Sequence, residues 1–211
     1  MSTRRTVWGS FVLCALIIPV VCAAGVGRGR SDSGAVDESL RRAIEERLYR
    51  WNASGAVYSS ENAKQRLAVE YESGETRLTH PGGRVAFRLR GYGYGERLRH
   101  PAAVQAKVSG NRIEYERGGL REWYVNEAGG VEQGFTVEER PGRARDGEGL
   151  VIALEVRGEL RPQLSGSGDA VLLESEDGAV LRYGGLRALD ARGREVGSRF
   201  DVRGEEVRLV V

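Results

Sequence analysis

The chain has 211 residues, with 32 Lys+Arg against 30 Asp+Glu, 40% hydrophobic and 29% charged positions, 30 Gly and 2 Cys. That apolar content supports a packed core and excludes a disordered or collagen-like chain, and the length suits one domain or two small ones. A formal net charge of +2 with interspersed signs supplies no bulk electrostatic drive toward nucleic acid.

The first segment sets the compartment. Arg4 and Arg5 precede the apolar run FVLCALIIPVVCAA from Phe11 to Ala24, broken by Pro19. The run is short for a bilayer span and has the build of a signal-peptide core, with Cys22, Ala23 and Ala24 as small residues at a cleavage site. Residues 1–24 are therefore predicted to be a removable signal peptide, so that the mature chain is secreted or held in the cell envelope, with no stable membrane span after cleavage. Lipidation of Cys22 is disfavoured by the bulky Pro19-Val20-Val21 before it. Both cysteines, Cys14 and Cys22, leave with this segment. Disulfides, thiolate nucleophiles and Cys-ligated metals then drop out. Thirty basic residues remain against 30 acidic ones once Arg4 and Arg5 are gone.

Residues 25–36 are small and polar and read as a flexible leader. From Asp37, a suitable N-cap, Leu40, Ala43, Ile44, Leu48 and Trp51 recur at helical spacing and predict one short helix. Period-two alternation follows. Leu67, Val69 and Tyr71 alternate with polar or small neighbours, as do Val85, Phe87 and Leu89, then Ile113 and Tyr115, then Val131, Gln133, Phe135 and Val137. Leu150, Ile152, Leu154 and Val156 repeat the pattern, and Phe200, Val202, Val207, Leu209 and Val211 end it. Glycine-bearing breaks at Ser73-Gly74, Pro81-Gly82-Gly83, Gly118-Gly119, Gly129-Gly130, Asp177-Gly178 and Arg203-Gly204 suit hairpins. Roughly a dozen short strands so spaced predict an all-β, antiparallel β-sandwich-like domain over 37–211. Residues 141–149 form the most loop-like stretch and the place for a subdomain break. The pattern stops at Val211 within an apolar strand, which suggests a truncated end.

Chemistry-bearing patterns are sparse. His80 and His100 each precede proline and read as loop histidines. No nucleophile elbow, HExxH spacing or calcium-loop order is present, so no catalytic, metal or cofactor-binding residues are assigned. Gly91-Tyr92-Gly93-Tyr94-Gly95 reads as a strand end or bulge. Trp123, Tyr124, Tyr92 and Tyr94 are the candidates for stacking on a sugar, although aromatics in strands mostly fill cores. Trp123 and Tyr124 must point to opposite faces, so one is expected in the core and the other outside.

Tyr58 and Asn62–Leu67, residues 111–126 (NRIEYERGGLREWYVN), 130–137 (GVEQGFTV), 154–162 (LEVRGELRP) and 180–195 (VLRYGGLRALDARGRE) occur in an informative order. Over about residues 46–211 this order resembles the N-terminal β-rich domain of bacterial exported proteins with FG-GAP (integrin-α-like) repeats. The resemblance implies a non-enzymatic extracytoplasmic structural or interaction module of the kind that precedes a β-propeller. Its partner would be a β-propeller or another envelope protein. The chain departs from that pattern in having no FG-GAP repeat, so nothing a propeller does is carried over. Two other readings remain: a carbohydrate-binding module with polysaccharide as partner, and an exported hydrolase using His80 or His100.

Overall fold

The computed structural model describes residues 11–19, 43–44, 47–102 and 106–211. The N-terminal half of the described chain contains β1 (Phe11–Pro19), β2 (Asn52–Ser54), β3 (Val57–Asn62), β4 (Leu67–Glu72), β5 (Glu75–His80), β6 (Gly83–Tyr94), β7 (Arg97–Arg99), β8 (Ala106–Ser109) and β9 (Arg112–Glu116). The C-terminal half contains β10 (Leu120–Glu127), β11 (Gly130–Val137), β12 (Leu150–Gly158), β13 (Arg161–Leu164), β14 (Ala170–Ser175), β15 (Gly178–Leu189), β16 (Glu195–Val196), β17 (Arg199–Arg203) and β18 (Glu206–Val210). The all-β, antiparallel expectation holds, with eighteen strands among the described residues where about a dozen were expected. Most of the expected helix over 37–51 lies outside the described residues, as does the leader at 25–36.

The strands form two sheets. The first runs β13-β14-β15-β1-β11-β10-β9-β8, with β16 beside β15; the second runs β17-β18-β12-β6-β5-β4-β3-β2, with β7 beside β6. Residues 138–149, which include the loop-like stretch 141–149, carry the chain from the first sheet to the second.

Alternation explains the layering. In β4, Leu67, Val69 and Tyr71 are buried, and in β6 so are Val85, Phe87 and Leu89. Their intervening neighbours face water or lie half-covered, as one-sided strands require. β12 pairs with β6 over nine positions, with a bulge between Ala153 and Leu154 that skips Arg90. Gly91–Tyr94 is thus the far end of β6, just beyond the bulge, with Gly95 in the turn that follows. Gly93 is obligatory there, since an added Cβ would lie 1.9 Å from the Arg97 carbonyl oxygen across the hairpin. At the β4–β5 turn both central residues have positive φ, Ser73 at 52° and Gly74 at 86°, which matches the twist of a two-residue hairpin.

The sheets stack face to face through aromatic side chains. Tyr71 of β4 lies on Tyr115 of β9 with centroids 3.8 Å apart. Phe87 of β6 meets Tyr183 of β15 at 5.6 Å, and Tyr183 meets Phe200 of β17 at 5.5 Å. One apolar cluster therefore draws on both sheets. Trp51 closes one end, its Nε1 donating to the Asn111 carbonyl at 3.0 Å.

The apolar run expected to be a signal core forms β1. It pairs antiparallel with β11 from Phe11↔Val137 to Ile17↔Val131, and with β15 from Val12↔Leu189 to Pro19↔Leu181. Ile17 is fully buried in the common core. A short run that is apolar at every position suits a strand buried on both faces as well as an export segment.

Candidate functional site: a polar network between the sheets and the cleft above it

The unusual feature of the core is a buried ionic chain. β9 ends at Glu116, and the Gly118-Gly119 turn, with φ of 65° and 89°, folds Arg117 back over β10. The Arg117 amide donates to the Leu120 carbonyl at 2.7 Å. Its guanidinium is then fixed at three points. Nε donates to Glu122 Oε2 at 2.7 Å, Nη2 donates to Tyr71 Oη at 2.7 Å, and Nη1 donates to the Ala102 carbonyl at 3.3 Å. Arg117 is 5% exposed and Glu122 2%. On the other Glu122 oxygen, Tyr124 Oη donates at 2.8 Å and Gln133 Nε2 at 3.3 Å. Gln133 Nε2 also donates to Tyr124 Oη at 2.8 Å, and Tyr183 Oη donates to Gln133 Oε1 at 3.0 Å. The chain of contacts runs from β4 in one sheet through β10 and β11 to β15 in the other.

Burial and charge shape these groups together. Burial pushes the Tyr71 phenol up to about 12, against the pull of Arg117. Burial also raises Tyr115, and raises Tyr124 well above the ordinary phenol range. Burial works against charge on Arg117, but Glu122, Tyr71 and Tyr124 together outweigh it and the guanidinium is held more firmly protonated. Desolvation of both charges offsets much of the attraction within a buried ion pair, whereas removing one partner alone is strongly destabilising.

A second network uses amides. Asn126, fully buried, donates through Nδ2 to Ser60 Oγ at 2.8 Å and to the Glu61 carbonyl at 3.0 Å. Its Oδ1 accepts from Asn62 Nδ2 at 2.8 Å. It ties β10 to β3 across the sheet interface.

Above Arg117 lies an open cleft of about 960 Å³, whose walls include Tyr58, Tyr71, Arg88, Arg90, His100 and Glu155. Arg90 is committed to Glu206 at 2.6 Å and Glu155 to Arg157 at 2.8 Å. His100 Nδ1 lies 3.3 Å from the Arg90 carbonyl. The cleft thus presents cationic side chains, most already partnered, around phenol rings. His80 lies elsewhere, in a smaller hollow beside Arg66 and Leu67. Its Nδ1 accepts from the Gly82 amide at 3.1 Å, and burial lowers its pKa. The two histidines are not brought together. Among the described residues, no group of three or more His, Cys, Asp or Glu is arranged to hold a metal ion, and no helix is long and apolar enough to cross a membrane.

The four expected stacking residues are all buried: Tyr124 and Tyr92 at 1% exposure, Trp123 at 6% and Tyr94 at 9%. Tyr124 belongs to the polar chain, and Tyr92 Oη donates to the Gly118 carbonyl at 2.8 Å. Trp123 does lie opposite Tyr124 in face, as expected, but not in the open. Gly134, its cross-strand partner, leaves room for the indole to lie over the backbone, and the Arg112 guanidinium sits 4.2 Å from the ring. These rings therefore form no open sugar platform in this structure. Sequence reading missed Arg117, Glu122, Gln133 and Asn126 as a group. The available signal was Glu122, a charged residue on the same strand face as Leu120 and Tyr124.

Compared with protein-family models, curated proteins and solved structures, the chain matches none.

Proposed function

We infer that the chain is a non-enzymatic extracytoplasmic structural or interaction module, similar to the domain preceding an FG-GAP β-propeller, with a propeller or other envelope protein as partner. The observation that carries this reading is the use of the polar core. Arg117, Glu122, Tyr124 and Gln133 of one sheet satisfy one another, and Arg117 reaches Tyr71 of the other, at 2% to 5% exposure for the ion pair. Groups so committed hold two layers in register and are not poised to meet a substrate. The imidazoles are likewise used locally, His80 in its own turn and His100 against the Arg90 carbonyl. The apolar N-terminal run behind two arginines supports export.

The test is expression of the full chain in an exporting bacterium, followed by fractionation and recovery under native conditions. The expected result is an envelope or secreted protein that co-purifies stoichiometrically with a propeller-bearing protein. Hydrolysis of a substrate panel that is lost on His100→Ala would replace this reading with the hydrolase one.

A further inference from the structure

We propose that the gap between β11 and β15 is a strand-acceptor site, filled in the precursor by residues 11–19 and, after export, by an apolar extended segment of a partner protein. This rests on the export reading above. The argument begins with sheet order. β1 stands between β11 and β15, and these two pair with β1 but not with each other. Removal of residues 1–24 would leave two unpaired edges about 9.5 Å apart, twice the strand spacing. It would also take the cross-strand neighbour from Val131, Phe135, Val137, Leu181, Tyr183 and Ala188, all fully buried.

Simple closure of the gap meets two obstacles. β11 and β15 are each antiparallel to β1, so they run parallel to one another. Direct pairing would place one parallel ladder among neighbours that are otherwise antiparallel, and would change the register of half the sheet. The hydrogen bond from Tyr183 Oη to Gln133 Oε1 spans the gap on its core side at 3.0 Å, and holds the two strands at two-strand distance. Tyr183 is also clamped between Phe87 and Phe200 of the opposite sheet.

The same geometry defines the occupant. It runs antiparallel to both neighbours over about seven paired positions. The positions opposite Val131, Phe135 and Val137 are Ile17, Leu13 and Phe11 in the chain's own strand, and the position opposite Gln133 is Ala15. A partner segment would therefore carry alternate large apolar residues with a small one beside the Tyr183–Gln133 bond. Main-chain ladders on both sides would supply affinity, and these positions selectivity. An unfilled pair of apolar edges is an aggregation template, which a seated partner segment would remove.

The test uses the chain exported with its own leader, with the N-terminus read by intact mass. A synthetic peptide of residues 10–20 carrying Cys14→Ser is the probe. The expected result is a chain beginning near residue 25, with fast amide exchange in β11 and β15 that slows about tenfold or more on peptide addition. A peptide with Ile17→Asp should have no effect. A mature monomer whose β11 and β15 amides are protected without peptide, or are not slowed by it, overturns the acceptor site and leaves the export reading intact. A protected mature dimer assigns the gap to a second copy and overturns the partner assignment. A retained N-terminus with residues 11–19 protected overturns the export reading and the proposal together. Should the exported chain fail to accumulate, co-export of the peptide on a carrier must restore it; no recovery overturns the proposal.

Discussion

Replacing Arg117 by methionine probes the link between the sheets most sharply. Methionine roughly keeps the volume and removes the charge. Glu122 then remains 2% exposed with its charge uncompensated, keeping only the donors from Tyr124 and Gln133. Breaking a buried pair from one side costs about 3–5 kcal/mol. At about 2–4 °C per kcal/mol for a domain of this size, the expected fall in Tm is roughly 6–20 °C. Pairing it with Glu122→Gln removes the stranded charge while keeping an oxygen for the Tyr124 hydroxyl. The double variant should therefore be more stable than Arg117→Met alone, by about 1 kcal/mol or more. Urea denaturation followed by tryptophan fluorescence measures both, and a constant m value keeps the comparison valid. An Arg117→Met chain within about 1 kcal/mol of the parent, or a double variant no better than the single, would refute a stabilising role for the pair's connection.

Other variants test separate contacts. Gly134→Ala places a Cβ 2.0 Å from the Trp123 ring. It should cost about 1–3 kcal/mol in thermal unfolding, and Trp123→Leu should restore part of that loss. Asn126→Leu removes one bond each from Asn62 and Ser60, while Asn62 Nδ2 keeps the Glu127 carbonyl and Ser60 Oγ the Tyr49 and Arg50 carbonyls, and should cost about 1–3 kcal/mol in total, read by the same denaturation. The raised phenol of Tyr71 contributes stability that is fully present below the ordinary tyrosine value near 10 and is lost as pH rises through about 12. Alkaline unfolding should thus accompany late tyrosinate absorbance, and Tyr71→Phe should weaken that dependence. Glu96 is held down to about 2 by hydrogen bonds from Arg208 and Arg203. Its contribution is present above the ordinary carboxylate range and is lost as pH falls through about 2, so Glu96→Gln should flatten the acid limb of a stability–pH curve.

Period-two burial was legible in strands whose core-facing positions are all apolar. β4, the first part of β6, and β9 follow from Leu67, Val85 and Ile113 and their alternate partners, whereas β12 follows from Ile152 and its alternates although its first five residues are all buried. β5 was not legible, because its buried positions are Thr76 and Leu78 within ETRLTH, and a threonine on the core side breaks the apolar count. The run forming β1 reads as an export segment because hydrophobic pattern does not separate a short apolar strand from a short secretory core. The Arg117–Glu122 pair spans five residues across a turn, a spacing with no meaning until Gly118 and Gly119 reverse the chain. The face opposition of Trp123 and Tyr124 was readable from the pleat. The burial of Trp123 was not, since it depends on Gly134 one strand away.

The side-chain Nε–H resonance of Arg117 offers the most direct test that this cleft-floor cation joins the sheets instead of serving a ligand. The account expects an Nε–H proton that exchanges slowly with water, shows contacts to the Tyr71 and Tyr115 rings, and does not move when carboxylate, phosphate or acidic oligosaccharide is added. Fast exchange, with a saturable shift on adding one of those anions, would contradict it.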